Sequence, residues 1–385
     1  MERVAVVRAF RTPIGKYLGG LSKLSVADLG AAVVRPLIDG LDTDVQELIF
    51  GCARQAGQGP NPARQVAIGA GLPQTTVAHT LNMACGSGLK AIGLAAEQIQ
   101  LGRASAVIAG GVESMSGVPF LLDRMRTGYR LGSKKLIDGM YQDGFHCPLS
   151  DQLMGATAET LADQYEISRT EQDQFALDSQ AKAAAAIEAG AFDNEIVPVE
   201  TKKGIIEKDE HPRPGSSLEK IGKLPPVFRD NGTVHAGNSS GITDGAAAVF
   251  LASESLVREK GWTPLAWFDD YTVSGVDPKV MGIGPVPAVA ALLERTGDSL
   301  EDFGLIELNE AFAAQVIACE KELGFDREKL NVHGGSIALG HPIGCTGARI
   351  VVTLLHAMER HGVKKGLATL CVSGGLGVAA SFTLE

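Results

Sequence analysis

Apolar positions in this chain follow two periods. Val4-Ala5-Val6-Val7 begins a strand pattern almost at the first residue, with no charged and then apolar leader ahead of it. Further on, two stretches repeat one plan. In the first, Cys85-Gly86-Ser87-Gly88 opens a helical period that runs to residue 101. Gly102-Arg103 breaks it, a strand pattern covers residues 106–109, and Gly110-Gly111 follows. In the second, Gly344-Cys345-Thr346-Gly347 opens a helical period over residues 348–361. Gly362, a strand pattern over 367–372 and Gly374-Gly375 complete it. Loop, helix, strand and paired glycines in one order, twice, predict a duplicated α/β unit.

The stretch between these halves is different. Residues 157–165 are amphipathic, and Ser168-Arg169-Thr170-Glu171 has the spacing of a capping box at the head of a helix that ends near Gly190. Around them lie irregular segments such as His211-Pro212-Arg213-Pro214-Gly215, the kind of long insertion that carries function. Strand patterns return at residues 246–252 and 305–308, and residues 253–260 read as a helix. The predicted organisation is an N-terminal half (1–114 and 246–262), an inserted loop domain (115–245) and a C-terminal half (263–385).

Composition refines this picture. The 385 residues are 45% hydrophobic but only 5% aromatic, with 47 glycines, which suits close helix-to-sheet packing in a layered protein of more than one core. A net charge of −10 argues against a nucleic-acid or membrane-surface partner, and no apolar run is long enough to span a bilayer. The six cysteines include no Cys-x-x-Cys pair, so free thiols in a reducing, cytoplasmic setting are expected. His146-Cys147 lacks further ligands at metal spacing, and no metal is expected. There is no Gly-x-x-x-x-Gly-Lys-Ser/Thr loop and no dinucleotide fingerprint.

The candidate chemistry lies in four segments. Cys85 sits between a strand pattern and a helix start, where the dipole and free N–H groups favour a thiolate; a small buried cysteine at a turn is the alternative. His341, in Gly340-His341-Pro342, is either a base or a solvated loop residue. Cys371 ends an apolar strand pattern and could be core or acid/base. Asn309 follows a short apolar strand and could simply cap the helix expected near Ala311.

Taken together, Asn82-Met83-Ala84-Cys85-Gly86-Ser87-Gly88, Asn309-Glu310-Ala311-Phe312-Ala313, Gly340-His341-Pro342-Ile343-Gly344 and Cys371-Val372-Ser373-Gly374-Gly375 resemble the thiolases, which make and cleave 3-oxoacyl-CoA. The resemblance runs from Arg11 to Gly377. It implies a layered α-β-α-β-α fold whose halves are related by a pseudo-twofold axis. It also implies acyl transfer through a Cys85 thioester, with His341 as the activating base and Cys371 as the second acid/base. Asn309 would hold a water that forms an oxyanion hole with His341, and the N–H groups of Cys85 and Ser373 would form a second. Glycine is usual where Ser373 stands.

For coenzyme A, a substrate here rather than a resident cofactor, the matching positions are Arg213 beside the adenosine phosphate, Ser240 near the pantetheine, and Met154 and Phe312 as pocket walls. Short-chain specialists carry histidine where Leu153 stands, whereas Gly128-Tyr129-Arg130-Leu131-Gly132 resembles a loop that links dimers into tetramers. A homodimer or homotetramer is therefore expected, and the cues on acyl chain length conflict. A degradative enzyme for longer chains, a carrier-protein ketoacyl synthase and a non-catalytic lipid binder are the alternatives.

Overall fold

The computed structural model describes residues 2–385. Nine strands build the sheet: β1 (Val4–Arg11), β2 (Glu47–Gly51), β3 (Val77–Leu81), β4 (Ala106–Ser114), β5 (Thr243–Ser253), β6 (Ala266–Gly275), β7 (Leu305–Leu308), β8 (Lys365–Val372) and β9 (Leu376–Thr383). They run in the order β7-β8-β9-β6-β1-β5-β4-β2-β3, with Gly15–Lys16 added beside β5. The helices that matter here are α1 (Val26–Ile38), α2 (Pro62–Ala70), α3 (Ser87–Gln100), α4 (Met154–Gln164), α5 (Arg169–Glu188), α6 (Pro285–Thr296), α7 (Ala313–Leu323) and α8 (Ile343–His361).

The predicted duplication is present strand by strand. From β1 outward, β5 and β4 pair antiparallel and β2 parallel; from β6 outward, β9 and β8 pair antiparallel and β7 parallel. A parallel bridge from Leu330 to Ile306 stands where β3 pairs with β2 in the first half. The halves join through β1 and β6, antiparallel at Val4–Phe268, Ala5–Trp267 and Val6–Ala266.

Away from the edge strand β3, most strand residues are buried on both faces, so alternate positions enter different cores. Val4, Val6, Ala109 and Val249, with Ala368, Leu370 and Ala380 from the other half, pack on α3 and α8. Ala5, Phe50, Ile108 and Phe250 face α1 and α2, and Ile306, Leu308, Leu367 and Ala379 face α6 and α7. Five layers result, with α3 and α8 in the middle. Those two helices meet through small residues. A Cβ on Gly88 would lie 2.5 Å from the Ala348 nitrogen, and one on Gly347 would lie 2.4 Å from the Leu89 nitrogen. The reciprocal contact marks the pseudo-twofold and brings the two helix heads together.

Some expectations shift. The strand expected at 106–109 runs on through Gly110-Gly111 to Ser114, and the helix expected at 157–165 starts earlier, at Met154. The capping box at Ser168 is formed, with both its bonds present. Leu161 of α4 and Phe175 of α5 pack in the same cluster as the C-terminal helices α6 and α7, so the inserted stretch leans on that half.

Candidate active site

The segment that carries Cys85 links β3 to α3. Ala84 sits at φ 43°, an unusual value for a residue with a side chain. The turn is pinned by Ser87, whose hydroxyl accepts from the Met83 N–H at 2.8 Å and donates to the Ala84 carbonyl at 2.7 Å. Asn82 Oδ1 accepts from the Ala84 N–H at 2.9 Å. Cys85 is half-buried against Ala53, Met140 and Ile343.

Opposite this turn stands the end of β8. Cys371 is buried at 1% exposure. The Ser373 N–H acts to lower the Cys85 thiol. The substitution of serine for the usual glycine is accommodated, because the left-handed conformations of this turn fall on Gly374 (φ 92°) and Gly375 (φ 86°), and Ser373 keeps a negative φ. Burial pushes the Cys85 thiol up, against the lowering by the Ser373 N–H and the Arg54 guanidinium. The helix-dipole expectation of a lowered thiol is thereby corrected: desolvation outweighs the local donors. A Cβ on Gly86 would lie 2.8 Å from Val372 Cγ2, so the end of β8 packs on the Cys85 turn. Burial, with the charges of Cys85 and Cys319, pushes the Cys371 thiol well above the ordinary range and keeps it a proton donor until a partner takes its proton.

His341 lies immediately ahead of α8, as Cys85 lies ahead of α3. Its N–H donates to the Gly241 carbonyl at 3.1 Å. Its Nδ1 is 2.6 Å from Thr346 Oγ1, and that hydroxyl donates to the Pro342 carbonyl at 2.9 Å. A hydroxyl has one proton, so the pattern assigns the histidine proton to Nδ1 and leaves the Nε2 lone pair free. Burial, with Arg349 and Arg54 nearby, pushes His341 down to about 3. The imidazole is therefore neutral at physiological pH, the form a base requires. The charge of Arg54 acts on both His341 and Cys85.

Asn309 is not a helix cap. Its N–H still continues the sheet, donating to the Thr369 carbonyl at 3.0 Å, and α7 begins later with Phe312 in the cap position. The Asn309 Oδ1 accepts from the Ser336 hydroxyl at 2.6 Å, and that hydroxyl accepts from Arg349 Nη2 at 2.8 Å. This chain fixes the amide. Its Nδ2 is buried with no protein partner, which suits a donor held for a water or a substrate oxygen.

Phe312, Met154 and Cys371 share one apolar cluster with Phe228 and Met281. Ser240 is beside it, its N–H donating to the Ala311 carbonyl at 3.0 Å. Arg213 is set apart from these residues. It lines a cavity of about 210 Å³ with Gln180, His211, Ser216, Lys220 and Gly237. The Ala236–Ser240 segment connects that cavity to the Phe312 cluster. Leu153 heads α4 and pairs with His146 in a short ribbon.

Sequence reasoning missed a set of buried polar residues behind the site. Glu113 accepts from the N–H groups of Ala53 (3.1 Å), Arg54 (2.9 Å) and Gly344 (2.8 Å), tying both halves together. Thr346, Ser336, Arg349 and Ser87 were also missed. The available signal was a charge inside an apolar run, as with Glu113 in β4 and Arg349 in α8.

Residues 4–255 match the family model for the thiolase N-terminal domain, and residues 262–384 match that for the thiolase C-terminal domain. The chain belongs to the thiolase family. Among curated thiolase relatives, it is 50% identical over 393 residues to the acetyl-CoA acetyltransferase of Pseudomonas aeruginosa, covering 100% of both chains. It is also 50% identical to that of Escherichia coli, covering 98% of each. Of solved thiolase-family structures, the acetyl-CoA acetyltransferase of Bacillus anthracis superposes with a TM-score of 0.97 at 46% identity, over 100% of this chain and 99% of that one. Human mitochondrial 3-ketoacyl-CoA thiolase in complex with CoA superposes at 0.97 with 42% identity, over 100% and 98%.

Proposed function

We propose that this thiolase transfers acyl groups by a ping-pong route between acyl-CoA and acetyl-CoA, giving 3-oxoacyl-CoA and CoA, or the reverse cleavage. The observation that carries the reading is the meeting of the α3 and α8 heads, Gly88 on Ala348 and Gly347 on Leu89, which brings the Cys85 and His341 segments together. In this reading His341 Nε2 takes the Cys85 proton, and the thiolate attacks the acyl-CoA carbonyl. The N–H groups of Cys85 and Ser373 hold the oxyanion as CoA leaves. Cys371, its own proton having gone to the departed CoA thiolate, then removes a proton from C2 of acetyl-CoA, and Asn309 Nδ2, through a water, and the protonated Nε2 of His341 stabilise the enolate oxygen. The carbanion attacks the Cys85 thioester.

Coenzyme A would run from the Arg213 and Lys220 end, along Ala236–Ser240, to the cluster of Phe312 and Met154. A cationic cavity at one end and a thiol site at the other suit an extended molecule with phosphates at one end and sulfur at the other. The halves and the inserted loop domain divide the labour, the insert supplying the CoA contacts. No helix among the described residues is long and apolar enough to cross a membrane, and we place the enzyme in the cytoplasm as a homodimer or homotetramer. The edge strand β3, with Val77 exposed, and the exposed Phe120, Leu122, Met125, Leu131 and Leu136 support self-association. CoA-dependent cleavage of 3-oxoacyl-CoAs of increasing length tests the reading. Failure to cleave any of them would overturn it.

A further inference from the structure

Arg54 directly follows a residue of the Cys85 wall, and its Nε makes no hydrogen bond. It is 6% exposed. Its Nε is buried without a hydrogen bond, and among the described residues its guanidinium makes no ion pair. Glu113, on which its charge acts, is already taken up by the N–H groups of Ala53, Arg54 and Gly344 and by the Cys52 thiol at 3.6 Å. No ion pair joins the two side chains. The guanidinium instead lies against the backbone at Gly144, where a Cβ would be 2.6 Å from Nε and Nη2, so the absent side chain makes its seat. The preceding residue, Ala53, belongs to the apolar wall around Cys85 with Met140 and Ile343.

A buried guanidinium with unused donors is costly unless an anion completes it. Cys85 and Phe145 face the same apolar wall, a surface chemically suited to the methylenes of an acyl chain. We propose that Arg54 is a specificity-determining residue that binds the terminal carboxylate of an acyl chain, so that the enzyme accepts 3-oxoacyl-CoAs whose acyl end is a carboxylate. A planar guanidinium matches a carboxylate with two parallel hydrogen bonds. This rests on the acyl-transfer reading above. The Cys85 thiolate attacks C3 of the substrate, and the C2–C3 bond breaks with its electron pair passing to C2. Cys371 returns a proton there, and acetyl-CoA leaves. The carboxyl-terminated acyl group stays on Cys85 until the thiolate of CoA removes it, with no net oxidation.

The test compares thiolysis of 3-oxoadipyl-CoA with that of 3-oxohexanoyl-CoA, two six-carbon substrates that differ at the far end by carboxylate against methyl. Acetoacetyl-CoA serves as the reference. In wild type, kcat/KM should be higher for the carboxylate. In Arg54→Met the carboxylate-to-methyl ratio should fall by roughly 10² or more, because the site loses its charged hydrogen-bond donors. Arg54→Lys, which keeps the charge that balances Glu113 and protects folding, should lose about 10-fold of the ratio, since a point charge cannot make the paired contact. The inference is overturned if wild type cleaves acetoacetyl-CoA but rejects 3-oxoadipyl-CoA. It is equally overturned if Arg54→Met lowers both six-carbon substrates alike, which would make Arg54 a residue that serves Cys85 and His341 only. Absence of cleavage of all three would instead remove the acyl-transfer reading beneath it.

Discussion

The Thr346 hydroxyl sits 2.6 Å from Nδ1 of His341 and donates its own hydrogen bond to the Pro342 carbonyl. One threonine thereby decides which ring nitrogen is the base. Replacing it with valine keeps the shape and removes the acceptor, so the imidazole is free to take either tautomer and to turn. Thr346→Val should lower kcat by about 10–10², as expected when a general base loses its orientation, while Thr346→Ser should stay near wild type. Steady-state kinetics on acetoacetyl-CoA cleavage checks this, and equal behaviour of the two variants would mean that the hydroxyl does not set the tautomer.

Ser336 plays the corresponding part for Asn309. Its loss leaves Asn309 Oδ1 and Arg349 Nη2 without their shared partner in a buried site. Ser336→Ala should cost about 1–3 kcal/mol of stability, by the penalty for unsatisfied buried groups. It should also slow carbon–carbon bond formation more than acylation of Cys85. Chemical denaturation together with separate half-reaction assays measures both effects.

These two residues show what the chain revealed and what it did not. Cys85, His341 and Cys371 were legible because each lies at a glycine-marked break in a hydrophobic period, and the duplicated plan followed from the same breaks. Ser336 and Thr346 look like ordinary small polar residues in sequence, since their meaning comes from partners brought in by the fold. Ser336 lies 27 residues from Asn309, and Glu113 lies 231 from the Gly344 it holds. The protonation of Cys85 was misjudged for a similar reason. The helix head is local and visible, whereas the desolvation that outweighs it comes from residues distant in the chain, Met140 and Ile343 among them, packed against Cys85. Asn309 looked like a cap because the apolar strand ends before it, yet its N–H still pairs with Thr369 across the sheet.

Leu153 heads α4 one residue before Met154, which shares an apolar cluster with Phe312 and Cys371. An apolar residue here should favour longer acyl chains by about 0.8 kcal/mol per methylene buried. Wild type should cleave acetoacetyl-CoA and also 3-oxohexanoyl-CoA. In Leu153→His the kcat/KM ratio of the six-carbon to the four-carbon substrate should fall. An unchanged ratio would assign chain length to other residues.

His333 is buried with its Nε2 3.2 Å from that of His361, and burial together with His361 and Arg360 pushes it down to about 4. The unfolded chain takes up this proton near pH 6.5, so protonation favours unfolding. The stability linked to His333 is complete above about pH 6.5 and is lost as pH falls towards 4. His333→Gln should flatten the decline of Tm across that window. Parallel curves for wild type and variant would rule out His333 as a source of acid lability.

The division of labour between Cys85 and Cys371 is the centre of this account, and peptide mapping of the Cys371→Ala variant after incubation with acetyl-CoA alone tests it most directly. Cys371 is not required for the first half-reaction, so the peptide containing Cys85 should gain one acetyl mass as fast as in wild type. Formation of acetoacetyl-CoA by the same sample should fall by roughly 10²–10⁴, the usual contribution of a general acid/base. Label on another peptide, or loss of acylation in step with condensation, would contradict the assignment.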